Sequence, residues 1–353
     1  MNSHLQKKII SYAAPIMSGL GIHKLFSPIY SGIGSILMFH RIVESGNQAR
    51  IHNHESLEIN PDHLRSTVAF FRKRGYKFYS LDEFHSRMLS GTLKEKFVLL
   101  TFDDGYLDNY ELAYPILKEL EVPFCIYITT NFPDRKAILW WYLLEDMLRE
   151  NEQIQFSFEG ESYDLATSNQ LEKEEAFSLI RKLITQRFDA RTYEQQLQEV
   201  FQNYQSDLFA YSERMAMSWE QIKEIAQDEL VTIGAHTVNH FPLKQLKEEE
   251  LETEIMESKR IIESHLGSPV HHFAYPFGKA PEADQREFDF IRNAGFKTAV
   301  TTRMSNIFSG HVSHMEALPR ININRVSTDS VLKLQTGGML PFVVHKGKKL
   351  VTT

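Results

Sequence analysis

Short apolar runs recur along this chain without the every-second-residue alternation of a half-wetted sheet. They are SILMFH (35–40), KFVLLTF (96–102), VPFCIYI (122–128), LVTIGAH (230–236), HHFAYPF (271–277), FKTAVTT (296–302) and LPRINI (318–323), with KFYSL (77–81) a weaker case. A strand that is apolar on both faces has to be covered on both faces, as in a parallel sheet whose crossovers are helices. Stretches of helical length fill the gaps. NPDHLRSTVAFFRKRG (60–75) opens on an Asn-Pro cap and ends at Gly75. SWEQIKEIAQ (218–227) opens on a capping box from Ser218 to Gln221. KEEELETEIMESKRIIESHLG (247–267) sets Leu251, Ile255, Ile262 and Leu266 on one face and stops at Gly267. Strand–helix alternation of this kind predicts an α/β fold, a barrel or distorted barrel.

The rhythm breaks between about Asn131 and Arg214, where the chain turns polar, Gln/Glu-rich and helix-like around one hairpin pattern, IQFSFEGESYDL, with Glu159-Gly160 near its turn. A length of 353 residues accommodates one large α/β domain carrying such an insertion. The expected organisation is therefore a lead-in over 1–34, a barrel split over 35–130 and 215–325, an inserted subdomain over 131–214, and a tail over 326–353. Near the N-terminus, Lys7 and Lys8 precede an apolar stretch from Ile9 to Ile22 that Pro15, Gly19 and Gly21 interrupt. It is shorter than the roughly 20 residues needed to span a bilayer, and no small-x-small cleavage site follows it. A helix lying on a surface and a targeting segment both fit. Without a signal, the expected location is the cytoplasm, with membrane association through this end. The single cysteine, Cys125, lies inside an apolar run, so no intrachain disulfide forms; a small buried core residue is expected. Net charge is −7 with no basic tract, which argues against general nucleic-acid binding.

Three short motifs stand at the ends of expected strands, where parallel α/β folds build their sites. In LLTFDDGYLDN (99–109), two carboxylates, Asp103 and Asp104, are adjacent at a strand end, and Gly105 lets the chain turn. Like charges that close raise each other's pKa unless a cation or a shared proton offsets them. In GAHTVNH (234–240), His236 and His240 are four residues apart, a spacing that brings both imidazoles to one side of a helical turn. In FAYPFG (273–278), Pro276, Phe277 and Gly278 make a rigid loop with exposed backbone N–H groups. His271-His272 and the His311/His314 pair are near neighbours of the kind that arise by chance among 15 histidines.

In this order, the three motifs resemble those of the polysaccharide deacetylase family, the NodB-homology domain of carbohydrate esterase family 4. Thr101-Phe102-Asp103-Asp104-Gly105 matches its first motif at every position. His236-Thr237-Val238-Asn239-His240 matches the second, and Pro276-Phe277-Gly278 the third. The resemblance covers about 35–130 and 215–325 and leaves the insertion out. It implies a distorted (β/α) barrel of the NodB type with one divalent metal, most often zinc. Carried over by position, Asp104, His236 and His240 would be the metal ligands and Asp103 the general base. The loop Tyr275, Pro276 and Phe277 would bind substrate, with the Phe277 N–H as oxyanion donor. Water activated on the metal would attack the acetyl carbonyl of an N-acetylated glycan or sugar precursor of the cell envelope, giving acetate and a free amino sugar.

Two positions depart from the family pattern. Many members carry an arginine two residues before the motif proline to support the base; here that residue is Ala274. Arg320, in LPRINI, is the expected replacement, with Arg303 a weaker one. Many members also place the general-acid histidine in a late L-x-H motif, and HVSH (311–314) does not sit well at a strand end. A subset instead ends an early strand in an aromatic-His pair, and His40 in ILMFHRI fits that pattern. Trp140 and Trp141 fit helix packing within the insertion or stacking against a sugar. Other readings stay open: a deacylase or deformylase of a lipid- or nucleotide-linked sugar, a non-catalytic glycan binder, and a different metal hydrolase. Oligomeric state has no signal in the sequence.

Overall fold

The computed structural model describes residues 12–44, 50–51, 57–204 and 207–351. Its strands are β1 (Gly34–Phe39), β2 (Arg41–Ile42), β3 (Glu58–Ile59), β4 (Lys77–Phe78), β5 (Phe97–Phe102), β6 (Phe124–Ile128), β7 (Gln153–Phe158), β8 (Glu161–Ala166), β9 (Val231–Ala235), β10 (His272–Ala274), β11 (Thr298–Val300) and β12 (Ile321–Asn322). Eight of them form one sheet in the order β11-β10-β9-β6-β5-β1-β12, with β4 also on β5, and every pair is parallel. The sheet curls until the end of β11 meets the segment leading into β12, through a bridge between Val300 and Leu318. The result is a distorted (β/α) barrel.

The non-alternating runs explain why. Along β5, Val98, Leu100 and Phe102 join one buried cluster, while Phe97 and Leu99 join another. Along β6, Phe124, Ile126 and Ile128 join the first, and Cys125 and Tyr127 the second. One face packs against the helices and the other fills the barrel, so neither can be polar. Cys125 is a core residue, 1% exposed.

The helices begin and end where their caps dictate. Asn60 accepts a bond from the His63 N–H at the start of the helix Pro61–Lys73. Ser218 and Gln221 form a capping box on the helix Trp219–Ile225. Residues 248–266 are helical, interrupted by a π turn at Thr253–Glu257 and ended by Gly267 in the left-handed region. Residues 131–214 add no strand to the main sheet among the described residues. Their hairpin β7–β8 turns at Glu159 and Gly160, both at positive φ as a two-residue hairpin loop requires. The stretch over 326–353, expected as a tail, instead carries the helices Asp329–Thr336 and Met339–Val344. They are held because Val331, Leu334 and Met339 bury against Ala14 of the helical segment 12–19.

Candidate active site

Period-two geometry sends residues 97, 99, 101 and 103 to the inner face of the barrel. Asp103 therefore looks inward from the end of β5, and its N–H is held by the Phe39 carbonyl of β1 at 3.0 Å. Inside the barrel it meets Arg320, a fully buried side chain that reaches it from just before β12. Arg320 Nη1 donates to Asp103 Oδ1 at 2.6 Å and Nη2 to Oδ2 at 2.7 Å. The rest of the fork is also used, Nε on the Thr301 carbonyl at 2.9 Å and Nη1 on Thr101 Oγ1 at 3.1 Å. Burial pushes the Asp103 carboxyl up, but the Arg320 guanidinium outweighs it and holds the group below the ordinary carboxylate range. Arg303, the weaker expected replacement, points elsewhere, donating to the Ala283 carbonyl and lying over Phe288.

Asp104 turns away from Asp103 because its φ is 79°, in the left-handed region, and Gly105 follows at 89°. Asp104 Oδ1 lies 3.4 Å from His236 Nε2 and 3.3 Å from His240 Nε2. That oxygen is buried and makes no hydrogen bond. One ligand atom from each of the three side chains falls within 4.8 Å of the others. An orphaned carboxylate oxygen facing two imidazole nitrogens is a donor set that can hold a divalent metal ion. His236 Nδ1 is 2.7 Å from the Ala274 carbonyl, and a carbonyl only accepts, so Nδ1 carries the proton and Nε2 offers its lone pair to the cluster. His240 is steered by rings instead: Phe277 at 4.8 Å and Trp141 at 5.4 Å between centroids. Burial alone would raise the Asp104 carboxyl; the imidazoles of His240 and His236 hold it well below its ordinary range.

His40 follows β1, and its Nε2 is 3.8 Å from Asp103 Oδ2. Burial lowers its pKa, while Asp103 and Asp104 work in the opposite sense. His311 and His314 lie in a separate 3-10 turn at Ser309–Ser313 and the residue after it, beside Phe308 and Glu316. Of the third loop, Phe277 stands at the site with φ 59°, and among the described residues no protein acceptor takes its N–H. Pro276 is buried, its carbonyl accepting from the Gly278 N–H. Tyr275 departs from expectation. Its ring is 0% exposed, packed between Phe273 and Phe288, and its hydroxyl donates to the Glu316 carbonyl. Period two sends it to the helix-facing side, away from the cluster.

Several contributors had no signal in the sequence. Among the described residues, eight non-glycine residues have positive φ, and Asp104, Thr237, His240 and Phe277 are four of them. Strain gathered at one place marks positions that the surroundings over-determine. The 237–240 loop is held by Glu254, whose carboxylate accepts from the Val238 N–H at 3.0 Å and the Asn239 N–H at 2.9 Å. Glu254 is one acid among many in its helix, and the π turn carries it under the loop. The stretch 131–214 also reaches the site: besides Trp141 on His240, Arg181 lies over the Phe277 ring at 5.4 Å. Trp141 Nε1 donates to the Tyr106 hydroxyl and the ring is 9% exposed, so it packs against His240 more than it faces solvent.

The sequence profile of the polysaccharide deacetylase family matches residues 90–182 and 178–299. The match differs from the expected cover: it starts after His40, ends before Arg320 and runs across the insertion. Among curated proteins, YxkH of Bacillus subtilis (strain 168), whose name places it with the polysaccharide deacetylases, is 34% identical over 131 residues, 36% of this chain and 42% of its own. Poly-beta-1,6-N-acetyl-D-glucosamine N-deacetylase of Escherichia coli (strain K12) is 35% identical over 68 residues, 19% of this chain and 10% of its own. The chain thus spans less than half the length of these curated relatives. The structure of Streptococcus pyogenes deacetylase PplD in complex with acetate is similar at a TM-score of 0.55 and 20% identity, covering 86% of this chain and 97% of that one. IcaB from Ammonifex degensii gives 0.53 and 18%, covering 87% and 97%. At such identities the likeness is one of fold.

Proposed function

Because the chain belongs to the polysaccharide deacetylase family, we propose that it hydrolyses N-acetyl groups from an amino sugar of an envelope polysaccharide or its precursor. The observation that carries this reading is the juxtaposition of a buried Asp-His-His cluster with a second carboxylate, Asp103, held ionised by a bidentate arginine. Enzymes of this family use a divalent metal; here Asp104, His236 and His240 would hold it, and zinc would supply Lewis-acid activation of a water and of the acyl oxygen. Asp103 takes the proton that the water gives up as it adds to the acetyl carbon, and Arg320 keeps both carboxylate oxygens in place for it. The Phe277 N–H donates to the acyl oxygen as charge gathers there. His40 gives a proton to the departing nitrogen as the C–N bond breaks, leaving acetate and a free amine. A histidine whose pKa is lowered by burial is a stronger acid once charged, and the carboxylates of Asp103 and Asp104 help to charge it. The stretch 131–214, whose Trp141 and Arg181 border the metal ligands and the Phe277 loop, is the part we read as setting substrate choice.

The test is acetate release from N-acetylated oligosaccharides and nucleotide-sugars by the zinc-loaded protein. Release that a chelator stops and zinc restores is expected. A protein that binds zinc stoichiometrically yet releases no acetate or formate from any of these, nor from lipid-linked sugars, would be a glycan binder instead. The acid assignment has its own check: His40→Ala is expected to keep its zinc and to lose about a hundredfold in turnover. Unchanged turnover would move the acid elsewhere.

A further inference from the structure

The first and last helices of the described residues meet in a cap at the N-terminal edge of the sheet. The helix His23–Tyr30 packs on Met339–Val344 through Phe26 and Tyr30 against Phe342, and the Tyr30 hydroxyl donates to the Gly347 carbonyl. The segment 12–19 closes the small core through Ala14. The outer side of this cap is unusual. Tyr12, Ile16 and Leu20 recur every four residues along one helix face, and Tyr12 and Leu20 are 79% and 73% exposed. Leu25 and Ile29 on the next helix, and Val343 and Val344 on the last, are exposed as well. Seven of the twelve large apolar side chains exposed among the described residues therefore lie on this one cap.

Lysines dominate its charges: apart from Asp329, which opens the first C-terminal helix, no aspartate or glutamate occurs before Glu44 or from residue 329 onward, although the whole chain has a net charge of −7. Lys24, Lys346, Lys348 and Lys349 stand exposed on the same segments as the apolar residues. No helix among the described residues is long and apolar enough to cross a membrane. A broad apolar surface flanked by lysines matches an acyl boundary edged by anionic headgroups, and a second copy bearing the same excess of lysines would be repelled.

We propose that this cap docks the protein on the surface of a bilayer containing anionic phospholipid. The apolar side chains enter the headgroup–acyl boundary and the lysines stay on the phosphates. Gly34 opens β1 directly after the cap, while His40 and Asp103 stand at the far ends of β1 and β5, about 20 Å along the strand. Docking therefore leaves the candidate site clear of the bilayer. The inference stands apart from the reaction proposed above, and neither depends on the other.

The experiment is cosedimentation of the full chain with vesicles of phosphatidylcholine, with and without phosphatidylglycerol. Binding is expected to the phosphatidylglycerol vesicles and to weaken as salt rises. The Ile16→Glu, Leu25→Glu double variant is expected to stay in the supernatant with an unchanged thermal midpoint, since both positions are exposed. Replacing Lys346, Lys348 and Lys349 by Gln is expected to weaken binding about a hundredfold at low salt. Wild type that remains in the supernatant with phosphatidylglycerol vesicles overturns the proposal, as does equal binding by the variants. So does a wild-type dimer that Ile16→Glu dissociates, which would give the face to a second copy of the chain.

Discussion

Asp104→Asn is expected to leave the protein with no bound zinc and no measurable acetate release, while Asp103→Asn keeps its zinc and loses about a thousandfold in turnover. The two substitutions are chemically identical and one residue apart, so the contrast isolates geometry. Asparagine tolerates the left-handed backbone that position 104 requires at φ 79°, so loss of metal there would not be due to a broken turn. Its amide oxygen is a poor substitute for the carboxylate oxygen that faces His236 Nε2 and His240 Nε2 at 3.4 and 3.3 Å. At position 103 the amide is not needed as a ligand but cannot take up a proton. Zinc content by atomic absorption and acetate release, measured on both variants and on His236→Ala, check the assignment. Full occupancy in Asp104→Asn would refute it.

The second large effect is expected at Arg320. Arg320→Met removes the cation that meets both oxygens of Asp103, and breaking a buried pair from one side costs about 3–5 kcal/mol. Chemical denaturation should read that loss. Turnover should fall about a thousandfold as well, with a specific pH signature. Burial by itself pushes the Asp103 carboxyl up; in the wild type Arg320 outweighs it. Without Arg320 the carboxyl titrates at a higher pH than in the wild type. As the proposed base, Asp103 would work only when ionised, so activity would be lost as pH falls through that raised value, and the acid limb of the pH–rate profile would move upward. Arg320→Lys should recover part of the stability and little of the rate, because an ammonium cannot hold both oxygens. The two residues are in contact, so their effects should not add: Asp103→Asn with Arg320→Met is expected to be more stable than Arg320→Met alone. An unmoved acid limb in Arg320→Met would show that the arginine does not tune the base.

The strands were readable because parallel strands covered on both faces leave an uninterrupted apolar run, and each of the eight expected runs overlaps a strand of the main sheet. The helix starts at Asn60 and Ser218 were readable because a cap is a local interaction between residues three apart. The carboxylate pair and the histidine pair were legible as strand-end motifs, and the grouping of Asp104 with His236 and His240 came from the resemblance to the polysaccharide deacetylase family. The C-terminal helices over 329–344 were missed because their burial depends on the N-terminal cap, a contact across nearly the whole chain. Tyr275 was misplaced because the motif gave its neighbourhood and not its face.

The sequence by itself determined the strand–helix order, the capping points, the adjacent carboxylates and the spacing of the two histidines, all of which are set within a few residues. Tertiary structure decided between the two arginines expected from the sequence: Arg320, not Arg303, meets Asp103. Arg320 lies 217 residues away, and the strand order β5-β1-β12 brings the two into one barrel interior with His40 at the end of the strand between them. It also decided that Glu254 would hold the 237–240 loop and that Trp141 would lie on His240. Periodicity and caps report what a residue does to its own segment. A buried ion pair reports which segments the closed barrel makes neighbours, and that is fixed only when the whole sheet has formed.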